Sequence, residues 1–154
     1  MTKIISFEGY AEHGAWIEAH TDIDPFVRGR LSLGRSISRS DYLGALRLRK
    51  QASVEFCDLL SGFDALLTPT TTMPAVALKM VDENVAPLNR LTRPVNYFDL
   101  CAIAIPSGFT DTGLPLSLQI IGKPNDEIGI LRLGLALQRK AGLGNRHPML
   151  PKIS

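Results

Sequence analysis

A chain of 154 residues with 45% hydrophobic and 21% charged content is long enough to bury a core and too apolar to be disordered. Its formal net charge of +2 is too small to make nucleic acid or a membrane surface the expected main partner. Two distant cysteines, Cys57 and Cys101, in apolar settings, fit reduced packed thiols rather than a disulfide framework. With no leader-like N-terminus and no long apolar run, they point to a cytoplasmic protein.

The first sixty residues read as helical. A short helix is expected over 10–19. Asp24-Pro25 then predicts a helix start, because Asp is a favoured N-cap and Pro tolerates the first helical position. That helix runs through Phe26, Val27 and Leu31 toward Gly34, which is expected to stop it. A long helix follows over 41–60, capped by Ser38 or Ser40. In it Ala45, Leu48, Ala52, Phe56 and Leu59 recur at spacings of three and four and predict one buried stripe.

The period then changes. Residues 63–67 read as a short strand entering the rigid loop Thr68-Pro69-Thr70-Thr71-Thr72-Met73-Pro74, since two prolines in six residues exclude a helix. Residues 76–94 are less regular, with a polar turn at Asp82-Glu83-Asn84, and a helical turn is expected over 96–100. In the next strand Cys101, Ile103 and Ile105 share one face and Ala102 and Ala104 the other. After a turn-rich link over 106–113, Leu114, Leu116, Leu118 and Ile120 alternate with Pro115, Ser117, Gln119 and Ile121, a period-two pattern. Asn125 is expected to cap a last helix with Asp126 and Glu127 in its first turn, Arg139 and Lys140 in its last, and Gly142 as its stop.

Motifs of stand-alone catalysis are missing from this sequence: it has no Gly-x-Ser-x-Gly elbow and no Ser-x-x-Lys pair. The serines of 32–40 sit at a helix boundary and read as caps, and Ser107 as a turn former. His13 and His20, with Glu12, Glu18 and Asp22, have no metal-ligand spacing and read as a solvated helix face. His147 and Gly142-x-Gly144 add no motif, and no metal or cofactor is expected. The basic run Arg28, Arg30, Arg35, Arg39, Arg47, Arg49 and Lys50 has Tyr42 as its only aromatic, so it reads as solvated surface rather than an RNA site.

Three blocks together resemble the amidase signature family: DPFVRGRLSLGRSISRSDY over 24–42, FDALLTPTTTMPA over 63–75, and RPVNYFDLCAIAIPSGFTDTGLPLSLQIIGKPNDEIGILR over 93–132. The third is the most specific, combining Pro-x-Asn, Pro-x-Gly, Gly-Leu-Pro and Leu-Gln-Ile-Ile-Gly. The resemblance implies an α/β fold, the C-terminal part of an α/β/α sandwich around a mixed sheet, with 1–154 a single partial domain. It implies amide C–N hydrolysis by a Ser-Ser-Lys arrangement whose motifs precede these blocks and have no counterpart in these residues, so no catalytic residue is assigned and the chain alone is expected to be inactive. Two substrate-binding positions are implied: Arg30, toward a substrate carboxylate, and Asn89, where glutamine-using members carry Asp facing an ammonium. A neutral or anionic amide is therefore expected. Self-association or a partner polypeptide is expected through an exposed sheet edge, and a non-catalytic scaffold or binding module built on the same half-fold is the alternative.

Overall fold

The computed structural model describes residues 1–82 and 87–143, and these fall into two compact units, Met1–Asp58 and the residues from Leu59 on. Glu83-Asn84 of the expected polar turn, Gly144 and His147 lie outside the described residues.

The first unit is helical. Helix α1, Thr2–Ala19, begins eight residues before the expected start. Met1 offers no side-chain cap, so no local signal marks that beginning, and tertiary contacts hold it instead. Ser6 Oγ donates to Arg30 O (2.9 Å), the Phe7 and Tyr42 rings stack at 4.3 Å, and Tyr42 Oη donates to Glu8 (2.7 Å). Helix α2, Pro25–Ser32, is capped as expected: Asp24 Oδ1 accepts from the backbone of Phe26 and Val27, each at 3.0 Å. Gly34 does not stop this helix but lies within a 3-10 turn, Leu33–Ser36, that runs against α1.

Helix α3, Arg39–Leu60, starts at Ser38, whose Oγ accepts from Asp41 N at 3.0 Å and donates to Asp41 Oδ2 at 2.7 Å. The expected buried stripe does not form. Ala45, Ala52 and Phe56 are half-buried, whereas Leu48 is 66% and Leu59 74% exposed, because no element among the described residues covers that side of the helix.

Asp41 also takes Lys3 Nζ at 3.0 Å. The Ser38 hydrogen bond, then Lys3, hold its carboxyl below the ordinary value of 3.8. A lowered folded value means the unfolded state binds more protons in that window, so the contribution is present above 3.8 and is lost as pH falls through the folded value. Acid titration of the first unit, followed by Trp16 fluorescence, is expected to show a small loss of stability as pH falls below 3.8. Asp41→Asn should flatten it; an unchanged slope would contradict the assignment.

The second unit is a three-stranded antiparallel sheet of order β1-β3-β2, with β1 Leu66–Pro69, β2 Cys101–Phe109 and β3 Pro115–Gly122. The α/β class agrees with the sequence expectation, and the strands among the described residues are all antiparallel. The link between β2 and β3 is shorter than expected, 110–114, with Gly113 at φ 82°, where an L side chain would be strained. Ser107 is a bulge residue rather than a loop residue, since the register passes from Pro106↔Ser117 to Gly108↔Leu116. Proline suits this place, a bulge on an edge strand of the described sheet.

A short helix α4, Arg93–Tyr97, forms three residues earlier than expected, with Pro94 in its first turn. Helix α5, Glu127–Ala141, is capped by Asp126 rather than Asn125: Asp126 accepts from Gly129 N at 3.2 Å, while Asn125 takes φ 61°. Gly142 ends α5 at φ 65°, as expected. The core of this unit is Ile105, Ile120 and Ile130, with Ile103, Leu118, Leu133 and Leu137 packed around it.

Candidate functional site

Cross-strand partners in an antiparallel sheet present their side chains to the same face. The register therefore divides this sheet cleanly. Ile103, Ile105, Leu118 and Ile120 lie on the face packed against α5. Thr68, Ser117, Gln119, Ala102 and Ala104 lie on the other. That second face buries a polar side chain, Gln119, beside the apolar Ile121. Gln119 is 4% exposed, and a buried amide must be hydrogen-bonded. Its Nε2 donates to Thr68 Oγ1 at 3.2 Å and to Leu91 O at 3.1 Å. The second bond fastens the segment following the 3-10 turn Pro87–Asn89 onto this face.

Asn89 sits at the end of that turn. Its carbonyl accepts from Thr92 Oγ1 at 3.2 Å, but its side-chain Oδ1 is buried with no protein partner among the described residues. Thr70 is in the same condition. Its backbone N donates to Ser117 O at 3.0 Å, extending the β1–β3 ladder by one residue, and its Oγ1 is buried and unpartnered. Leaving such a group unpaired costs about 1–3 kcal/mol. Neither Thr70 nor Gln119 stood out in the sequence. The usable signal was the polar parity of Thr68 and Thr70 against Ser117 and Gln119 in otherwise apolar strands.

Arg30, the other expected binding residue, is exposed in the last turn of α2. It belongs to the first unit and Asn89 to the second.

The remaining polar residues are held locally. Ser38 caps α3 and Ser36 Oγ donates to Leu33 O at 3.0 Å. Glu18 accepts from the Tyr10 hydroxyl and pairs with Arg35 at 3.7 Å, while His20 lies on the Trp16 ring and on Trp16 O. No three His, Cys, Asp or Glu side chains come together as metal ligands among the described residues. Tyr42, the single aromatic of the basic run, is stacked on Phe7 and hydrogen-bonded to Glu8, so it is not a free platform for a base. Cys101 donates to Lys123 O at 3.1 Å, and both cysteines are free thiols. A cleft of about 330 Å³ at the start of α5 is lined by Asp64, Lys123, Asp126 and Arg132, but Asp126 is committed to capping the helix. No helix among the described residues is long and apolar enough to cross a membrane.

Comparison with known proteins gives a consistent result. The family model described as Amidase matches residues 20–131. The chain is 34% identical over 131 residues to a fatty acid amide hydrolase of Medicago truncatula, covering 80% of this chain and 22% of that protein. It is 40% identical over 108 residues to a glutamyl-tRNA(Gln) amidotransferase subunit of Granulibacter bethesdensis, covering 68% and 22%. Among solved structures, one described as an amidase superposes with a TM-score of 0.83 at 26% identity, covering 92% of this chain and 34% of that one. The chain thus spans about a fifth to a quarter of the length of the curated relatives it matches.

Proposed function

This chain belongs to the amidase family, and from that premise we propose that it is the C-terminal segment of an enzyme that hydrolyses amide C–N bonds. In this reading residues 1–154 are one partial domain that supplies sheet and pocket wall. The Ser-Ser-Lys groups that attack the carbonyl, release the amine and hydrolyse the acyl-enzyme lie outside these residues, and no cofactor is needed.

The observation that carries the pocket assignment is Asn89 Oδ1, a buried acceptor with no protein partner among the described residues. Such an atom suits an N–H of the substrate. A neutral amide in place of a carboxylate removes the charge that would hold an ammonium, so a neutral or anionic amide is favoured over glutamine. Arg30, in this reading, meets an anionic end of the substrate. The apolar side chains left open on α3 and α5, among them Leu48, Leu59, Ile128 and Leu131, and the edges of β1 and β2, support burial against further polypeptide of the same fold or a second copy. The compartment proposed is the cytoplasm, where Cys57 and Cys101 remain thiols.

The test pairs this chain with a polypeptide carrying the preceding part of a related amidase and measures amine release from carboxamides. The chain alone is expected to release none and the assembled pair to be active. Asn89→Asp is expected to shift kcat/KM by about tenfold toward an ammonium-bearing amide. Hydrolysis by the purified chain alone, with contaminants excluded by mass spectrometry, would overturn the assignment of catalysis elsewhere. A stable but inactive pair would favour the scaffold alternative.

A further inference from the structure

We infer that the cleft at the start of α5 binds a free aliphatic α-amino acid, with Asp64 taking its ammonium group and Arg132 its carboxylate. Neither Arg30 nor Asn89 lines this cleft, and the inference does not depend on the hydrolase reading.

The cleft has a volume of about 330 Å³, near the lower end for small-molecule sites. Its walls are the approach to β1, the turn after β3 and the first two turns of α5, and they are tied together. Lys123 Nζ donates to Ser61 O at 3.4 Å, which braces the approach to β1 against the turn. Lys123 O accepts from Asp126 N at 3.2 Å and from Cys101 Sγ at 3.1 Å, which holds the turn itself. Gly122 meets α5 so closely that an added Cβ would stand 2.4 Å from Ile130 Cγ2. Bonds and packing within the chain therefore shape the cleft without a ligand.

Four charged side chains line it, Asp64, Lys123, Asp126 and Arg132. Asp126 is committed to capping α5 and Lys123 to bracing Ser61. Asp64 and Arg132 face the same cavity, yet neither side chain has a hydrogen bond or ion pair among the described residues, with each other or elsewhere. That leaves one carboxylate and one guanidinium for a ligand that carries both charges. A guanidinium takes a carboxylate as a two-pronged fork, and an aspartate accepts the N–H groups of an ammonium. The lining charges balance, so a ligand of single charge gains little net attraction, whereas a zwitterion meets both uncommitted groups. The rest of the wall, Ala65, Ile130 and Leu133, is apolar and suits an aliphatic side chain.

The experiment titrates the full 154-residue chain, isotope-labelled, with L-leucine and its two single-charge counterparts. Isocaproate lacks the ammonium and isoamylamine lacks the carboxylate. NMR is read at the backbone amides of Ala65, Gly129 and Arg132. Leucine is expected to move all three along one saturation curve, and each counterpart to bind about fivefold more weakly, the size that an open ion pair allows. Asp64→Asn is expected to weaken leucine about fivefold and isocaproate not at all. Arg132→Gln is expected to weaken leucine equally and isoamylamine not at all. Both side chains are exposed and unpartnered among the described residues, so neither variant should lower the melting temperature. The absence of a saturable shift up to the solubility of leucine would overturn the proposal. Equal binding of leucine and either counterpart by the parent chain would do the same, as would a variant that weakens leucine and its matched counterpart alike. No catalysis is read here, so failure of this cleft is separable from failure of the hydrolase reading.

Discussion

Replacing Gly34 with alanine is expected to cost the first unit about 3 kcal/mol or more, at or above the top of the usual range for overpacking. A Cβ at this position would stand 2.0 Å from Ser6 O and 2.5 Å from Tyr10 Cβ. The first of these is backbone, so no rotamer change relieves the clash. Either α1 moves off the 3-10 turn or the turn unwinds, and the Ser6–Arg30 hydrogen bond lies next to the break. In a unit this small, such a loss lowers the melting temperature by roughly 15 °C. Trp16 is the only tryptophan of the chain and lies in α1, so its fluorescence reports this unit. Gly44→Ala is the control, because nothing lies within 4 Å of its added Cβ and the site is inside α3. It should gain about 0.5–1 kcal/mol from helix propensity alone. Equal responses from the two variants would show that α1 and the turn are not closely packed.

The same glycine shows what a single sequence can reveal. A glycine after an amphipathic stretch is a good stop signal, and Gly142 is one: its backbone N donates to Gln138 O at 3.1 Å, with φ at 65°. Gly34 carries the same letter for another reason, the close approach of a distant backbone. Local chemistry distinguishes these only when the partner is also local. Asp24 was legible because its cap bonds reach two and three residues ahead. Asn125 and Asp126 are both good caps, and spacing alone could not choose between them. Which one caps follows from the Lys123–Asn125 turn, in which Asn125 takes the left-handed conformation that asparagine tolerates.

The candidate site follows the same pattern. Alternation along 114–121 was visible, but it predicts one polar face, and β3 is buried on both faces over its last four residues. The reason is position: β3 is the middle strand, with α5 on one side and the segment held by Gln119 on the other. Pairing order is a long-range property, and periodicity carries none of it. Thr70 was obscured for a related reason. Its Thr-Pro surroundings mark a rigid loop, and only the backbone bond to Ser117 shows that pairing with β3 reaches one residue past β1.

The second large effect is expected from Ile120→Ala, at about 4 kcal/mol, within the usual range of about 2–5 kcal/mol for a buried isoleucine. Ile120 is fully buried at the centre of the Ile105, Ile120 and Ile130 cluster. The site is walled by two strands and a helix, so collapse around the cavity is limited. Ile128→Ala, also an isoleucine truncation, removes a side chain that is 75% exposed on α5 and should change the stability of this chain by no more than about 0.5 kcal/mol. Denaturant unfolding followed by exchange of the β2 and β3 amides distinguishes the two, and a similar loss from both would contradict the core described above. Successive residues of a strand point to opposite faces, so Ile120 also anchors the stretch of β3 that presents Gln119. Its loss should therefore loosen the hydrogen bonds of Gln119 to Thr68 and Leu91 as well as the core. Ile128 gives the reciprocal prediction. If the open side of α5 is covered in the assembled hydrolase, Ile128→Ala should leave this chain almost unaltered and weaken its assembly with the preceding part of the fold.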